Sequence, residues 1–204
     1  MINIIYVLIA VIVAWFFIDF VLLSWDIHKN KIVQFCFKYQ PKSIKMKLPK
    51  IKAVEKESFW FFMIAFFVCA ALIIARFIMS PPEVGIINYI GAGIVFFAGL
   101  LQIISRSVLH QFFTLQVIIQ QNHVLVRSGP YHYIRHPGYL ALFLFLFGLG
   151  LAFSATFGLI LLFLFFIPAM LYRIVKEEEL MLAELGKDYI YYMNSTKKLI
   201  PYIY

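Results

Sequence analysis

The residues best suited to chemistry fall in two short stretches. From Gln116 to Tyr139 the chain reads Gln-Val-Ile-Ile-Gln-Gln-Asn-His-Val-Leu-Val-Arg-Ser-Gly-Pro-Tyr-His-Tyr-Ile-Arg-His-Pro-Gly-Tyr. Ser128-Gly129-Pro130, His136-Pro137 and Gly138 are turn formers. Each proline holds the residue before it in extended conformations, and glycine lets the backbone approach a ligand closely. This predicts an irregular loop that closes over a ligand, with side chains and backbone donors turned inward. At membrane depth such backbone is tolerated only where it lines a cavity. Were the loop a mere connection, its His and Tyr rings would sit at headgroup level, where amphipathic rings are common. The second stretch is Tyr172-Arg173-Ile174-Val175-Lys176-Glu177-Glu178-Glu179. Arg173 and Glu177 are spaced i, i+4, so on a helix they share a face and offer a cation and an anion to one pocket. On a water-exposed surface such a pair is worth only about 0.3–0.5 kcal/mol. At the end of a membrane span, an arginine either reaches back to water or serves a site.

The elements that must position these residues are membrane helices. The chain is 63% hydrophobic and 14% charged, too apolar for a soluble domain of 204 residues. A span needs roughly 20 apolar residues, and Ile2 to about Leu23, Phe59 to about Ile78 and Ile86 to about Ile104 meet that length. The first has no basic residues before it and no small-residue cleavage site after it, so it is expected to stay as a span rather than leave as a signal peptide. Tyr139 to Val175 is long enough for two spans if it folds back at Ser154 to Gly158, where small and polar residues interrupt a Leu/Phe-dominated run. Orientation is a separate signal, because Lys and Arg in short loops stay on the cytoplasmic side. Nine lysines between Lys29 and Lys56 place the 26–57 segment inside. Alternation then puts Met79–Gly85 and Ser154–Phe157 outside, and neither carries a Lys or Arg. Leu109–Gly138 and the C-terminal tail fall inside, where Arg127, Arg135, Lys176, Lys187, Lys197 and Lys198 lie. The expected fold is therefore all-α: a polytopic membrane protein of about five transmembrane helices, ending in a helical hairpin, with its pocket at the cytoplasmic surface. The whole chain, 1–204, forms one membrane domain, with 1–85 as N-terminal helices and basic loop and 86–204 as core.

The net charge of +8 is spread around long uncharged runs, which fits an anionic leaflet rather than nucleic acid. Cys36 and Cys69 show no CxxC spacing, so neither a disulfide framework nor a metal site is expected.

Taken in order, His123-x-Leu125-Val126, Gly129-Pro130-Tyr131, Arg135-His136-Pro137-x-Tyr139, Arg173 with Glu177-Glu178, Gly186 with Tyr189 and Tyr192, and Leu199-Ile200-Pro201 resemble the isoprenylcysteine carboxyl methyltransferase and phospholipid methyltransferase superfamily. The resemblance covers the chain from about Gly99 onward; the first two helices and the basic loop do not share it. It implies that S-adenosylmethionine lies between the cytoplasmic loop and the tail. The positions it assigns to the cofactor are Gln116, His123, Val124, Leu125, Val126, Tyr131, Arg135, His136, Pro137, Gly138, Tyr139 and Glu177. It also implies that Arg173 faces the methyl acceptor as the catalytic residue. Many members have Leu-Gly where this chain has Leu109-His110, and Gly where Ala141 stands, departures that touch helix packing more than the pocket.

The chemistry fits such a pocket. Methyl displacement from a sulfonium asks for alignment of acceptor, methyl and leaving sulfur. Glu177 would meet the cofactor's ammonium or ribose hydroxyls, and Tyr131 or Tyr139 would pack against its cationic centre. The acceptor is expected to be a lipid or lipophilic small molecule. Arg173 suits isoprenylcysteine-like carboxylate O-methylation, with phosphatidylethanolamine N-methylation or thiol S-methylation as alternatives. A glycine-rich GxGxxG after a strand is absent from the sequence, which excludes the soluble methyltransferase fold. Two further readings are a membrane reductase using NADPH, and a non-enzymatic membrane scaffold with structural histidines.

Overall fold

The computed structural model describes residues 56–109 and 125–200. The expected first span, almost all of the basic 26–57 segment, and Gln116, His123 and Val124 lie outside the described residues.

Helix α1, Lys56–Met79, is apolar from Phe59 to Ala75 and stops before Ser80-Pro81-Pro82, where the prolines cannot continue the backbone ladder. Its last turn is capped by its own Arg76, whose guanidinium donates to the Ser80 carbonyl. Helix α2, Ile86–Leu109, starts on Gly85, and the Gly85 N–H donates to Asn88 Oδ1 at 2.8 Å. Helix α3, Pro137–Ala152, opens with proline in its first turn, where the missing N–H costs nothing. Helix α4, Thr156–Leu185, contains one π-helical turn at Leu162–Phe166. That turn precedes Pro168, whose ring would collide with the Leu164 carbonyl in a regular α-helix. Gly186, at φ +55°, ends α4, a conformation glycine adopts without steric cost. The short α5, Lys187–Ser195, follows it.

The fold-back expected at Ser154–Gly158 is a turn centred on Ser154 at φ +50°, tightened by Ala155 N–H donating to the Gly150 carbonyl at 2.8 Å. Of the spans foreseen in the sequence, α1, α2 and α4 are long and apolar enough to cross a bilayer, whereas α3 is a shorter apolar helix of 16 residues. At about 1.5 Å per residue α3 covers about 24 Å of a hydrocarbon core of about 30 Å. His136-Pro137 is the reason, since proline fixes where the helix begins and leaves the last stretch of depth to irregular chain.

Helices α2 and α3 pack at backbone distance. A Cβ at Gly91 would meet the Gly148 carbonyl at 2.7 Å, and one at Gly148 would meet the Gly91 carbonyl at 2.9 Å. Small residues at such crossings replace the hydrophobic drive that lipid removes. Helix α1 lies against α4, and the core they share with α2 and α3 includes Phe62, Ile73, Val95, Leu146, Phe166 and Ile174. Trp60, Phe61, Phe67, Phe97 and Phe163 are exposed, the pattern of helices that face lipid on their outer sides.

The bundle has two distinct ends. At one, Asn88 Nδ2 donates to the Ala152 carbonyl at 2.7 Å and to Ser154 Oγ at 3.1 Å, and Phe77 stacks on Phe153 at 4.5 Å. This brings Met79–Gly85 and Ser154 together, as alternation required. At the other end lie the 125–136 loop, the start of α3, the last turns of α4, and α5.

Candidate functional site

The described part of the loop is irregular, as its prolines and glycines predict. It runs without regular structure from Leu125, makes a 3-10 turn at Gly129–His132, and enters α3 at Pro137. Gly129 sits at φ +59°, and a Cβ there would press on the Val108 side chain at 2.9 Å. Gly138, by contrast, faces Gln102, whose Oε1 would lie 3.8 Å from a Cβ at that position. Val108 and Gln102 are six residues apart on α2, or about 9 Å. The loop therefore dips inward from the helix end before α3 starts.

Two polar clusters hold it there. The first is built on Glu178, which is buried. Arg135 Nε donates to Glu178 Oε1 at 2.7 Å, His136 Nε2 lies 3.3 Å from the same oxygen, and Lys198 Nζ is 3.3 Å from Oε2. Arg135 Nη1 also donates to the carbonyls of Met193 at 3.1 Å and Thr196 at 2.5 Å. Backbone pairing runs alongside: Arg135 N–H donates to the Lys197 carbonyl at 2.7 Å, His136 N–H to the Lys198 carbonyl at 3.0 Å, and Lys197 N–H to the Tyr133 carbonyl at 3.1 Å. The tail is thus laced to the loop as a short parallel bridge. Arg127 adds a further tie, with its guanidinium 5.7 Å from the ring centres of both Tyr191 and Tyr192.

The second cluster joins α3, α4 and α1. The Tyr139 hydroxyl donates to Glu177 Oε2 at 2.7 Å and also faces the Arg173 guanidinium. Arg173 is 2% exposed; its Nη1 donates to Ser58 Oγ at 2.9 Å, and its guanidinium lies 5.7 Å from the Phe59 ring centre. It does not reach back to water. Phe62 meets Tyr139 edge-on at 5.4 Å and His136 lies 5.7 Å from it.

Tyrosines outside the spans are kept neutral. Burial, then the Glu177 carboxylate, pushes the Tyr131 phenol well above its ordinary range. Burial pushes Tyr192 up to about 12. Both stay protonated around neutral pH, and Tyr192 donates to the Tyr131 carbonyl at 2.7 Å.

Of the residues singled out by sequence, Arg135, His136, Tyr139, Glu177 and Arg173 converge on these clusters, Pro137 and Gly138 form the first turn of α3 between them, and the buried Tyr131 sits in the adjoining turn. Leu125 and Val126 are half-buried where the described loop begins. Ala141 is fully buried, so that departure from the family pattern does fall in helix packing. Sequence reasoning missed the roles of Glu178 and Ser58. Three consecutive glutamates read alike until helical phase turns Glu178 inward and Glu179 outward, and a lone serine at the start of an apolar helix carries no signal.

Glu178→Ala would leave the Arg135 charge buried without its carboxylate, at about 3 kcal/mol. We expect the thermal midpoint of the detergent-solubilised protein to fall by about 6–12 °C; an unchanged midpoint would show that the cluster does not hold the tail.

A search of curated proteins gave no match to the chain. The model of the isoprenylcysteine carboxyl methyltransferase family matches residues 89–183, from the first turn of α2 to the end of α4. That stretch contains the loop, α3, Arg173 and Glu177. It starts ten residues before Gly99 and stops short of Gly186 and the tail motifs. Over this segment, which carries Arg135, His136, Tyr139, Arg173, Glu177 and Glu178 of the two polar clusters, the chain is similar to the isoprenylcysteine carboxyl methyltransferase family.

Proposed function

We propose that this protein transfers a methyl group from S-adenosylmethionine to a lipophilic acceptor bearing a carboxylate, at the cytoplasmic face of the membrane. The observation that carries this reading is the Tyr139 hydroxyl between Glu177 and Arg173. It joins the side chain suited to the cofactor and the one suited to the acceptor in a single half-buried junction.

The residues present fit the cofactor. Its ammonium, ribose hydroxyls and adenine amine are donors, and the pocket offers acceptors. These are the Glu177 carboxylate and Gln102, which is 7% exposed and whose Oε1 has no hydrogen-bond partner among the described residues. Gly138, without a side chain, leaves the start of α3 open beside that oxygen. When bound, the cofactor supplies an electrophilic methyl on a sulfonium. Glu177 binds and orients its cationic or hydroxyl groups, Tyr139 fixes that carboxylate, and the loop excludes water. Arg173 pairs with an acceptor carboxylate and holds it in line. A carboxylate attacks without first losing a proton, so no general base is required. An amine headgroup would instead be repelled by the buried guanidinium.

Charge supports the orientation. The pocket end of the bundle carries Arg127, Arg135, Lys187, Lys197 and Lys198, while the Ser80–Gly85 loop at the other end contributes only Glu83. An excess of cations marks the cytoplasmic side.

Titration of the purified full-length protein with S-adenosylhomocysteine tests this. Micromolar binding is expected. Silence with that ligand together with binding of NADPH would make the protein a reductase, and silence with both would make it a scaffold.

A further inference from the structure

Helix α1 lies outside the segment that matches the family, yet it reaches the site. We propose that the first turn of α1, through Ser58 and Phe59, positions Arg173 toward the methyl acceptor and so sets acceptor affinity. This rests on the functional reading above and deepens it.

From Phe59 to Ala75 α1 is apolar apart from Cys69, and its lipid-facing side near this end carries Trp60 and Phe61. Ser58 stands just ahead of that run and turns inward, fully buried. Its oxygen accepts from Arg173 Nη1 at 2.9 Å across 115 residues of sequence. A guanidinium has five N–H donors in a rigid plane, so fixing one nitrogen and the plane's tilt fixes where the others point. Ser58 does the first. The Phe59 ring, 5.7 Å from the guanidinium carbon, does the second. Phe62, one turn further along α1, holds the Tyr139 ring edge-on. A single helix thus braces both residues that meet at the junction with Glu177.

A neutral hydroxyl is a suitable brace. A carboxylate in place of Ser58 would neutralise Arg173 and compete with an anionic acceptor, whereas serine orients the guanidinium and leaves its charge in place. An acceptor carrying a carboxylate on a long apolar chain then meets a prealigned cation at the α1/α4 boundary, beside the aromatic residues that face lipid.

The test uses the full-length protein in detergent or membranes, with N-acetyl-S-farnesyl-cysteine as the probe acceptor. Ser58→Ala should raise the acceptor KM about tenfold, the effect of one hydrogen bond to a charged group, while S-adenosylhomocysteine affinity stays unchanged. Ser58→Thr, which keeps the hydroxyl, should restore the KM. An unchanged KM in Ser58→Ala, or an equal loss of cofactor and acceptor affinity that Thr does not rescue, would overturn the positioning role. A wild-type protein that binds S-adenosylhomocysteine but leaves the probe unmethylated would overturn it too, by removing the carboxylate acceptor. Absence of any S-adenosylhomocysteine binding would instead refute the functional reading itself.

Discussion

Glu177→Ala is expected to abolish S-adenosylhomocysteine binding and to leave membrane insertion intact, the largest effect expected of any single substitution here. Truncating one partner of a buried, hydrogen-bonded charge pair costs about 2–5 kcal/mol, which is a loss of about 30-fold or more at 1.36 kcal/mol per factor of ten. A confounding effect has to be separated. Glu177 accepts from the Tyr139 hydroxyl at 2.7 Å, so alanine also strands that donor, at about 1–3 kcal/mol of stability. Glu177→Gln keeps an oxygen for Tyr139 and removes only the charge. If the carboxylate meets the cofactor's ammonium, both variants lose binding in calorimetry. Should Gln bind normally while Ala does not, Glu177 serves only to fix Tyr139; normal binding by both places it outside the site.

Arg173→Ala is expected to do the opposite, sparing the cofactor and lowering kcat/KM for the acceptor by roughly 10²–10³-fold. The guanidinium lies on the α1 side of the junction, against Ser58 and Phe59, and shares the Tyr139 hydroxyl with Glu177. On the proposed division of roles, its loss would remove the counter-charge for an acceptor while leaving Glu177 in place. Arg173→Lys sharpens the result. Lysine keeps the charge but not the planar fork that Ser58 and Phe59 brace, so recovery of only a small part of the activity is expected. Full recovery would mean that charge alone matters, and simultaneous loss of cofactor affinity in Arg173→Ala would show that the two roles are not divided between these residues.

The element pattern was legible in the sequence because a bilayer imposes it directly. Backbone groups cannot be left unsatisfied in hydrocarbon, so an uninterrupted apolar run such as Phe59–Ala75 has to be a helix, and the small or polar residues around Ser154 have to turn the later Tyr139–Val175 run back. Arg173 and Glu177 could be paired from spacing alone, since four residues of helix place them on one face. The spacing of Pro130 and Pro137 likewise marked the loop as irregular. What spacing cannot encode is contact between segments far apart in the chain. That α3 stops short, that Glu178 rather than its neighbours binds Arg135 and His136, that the tail is laced to the loop, and that Ser58 meets Arg173 were decided by tertiary packing. A helix fixes the phase of each side chain about its own axis, but only the rotation and depth at which helices dock determine which phase faces a partner.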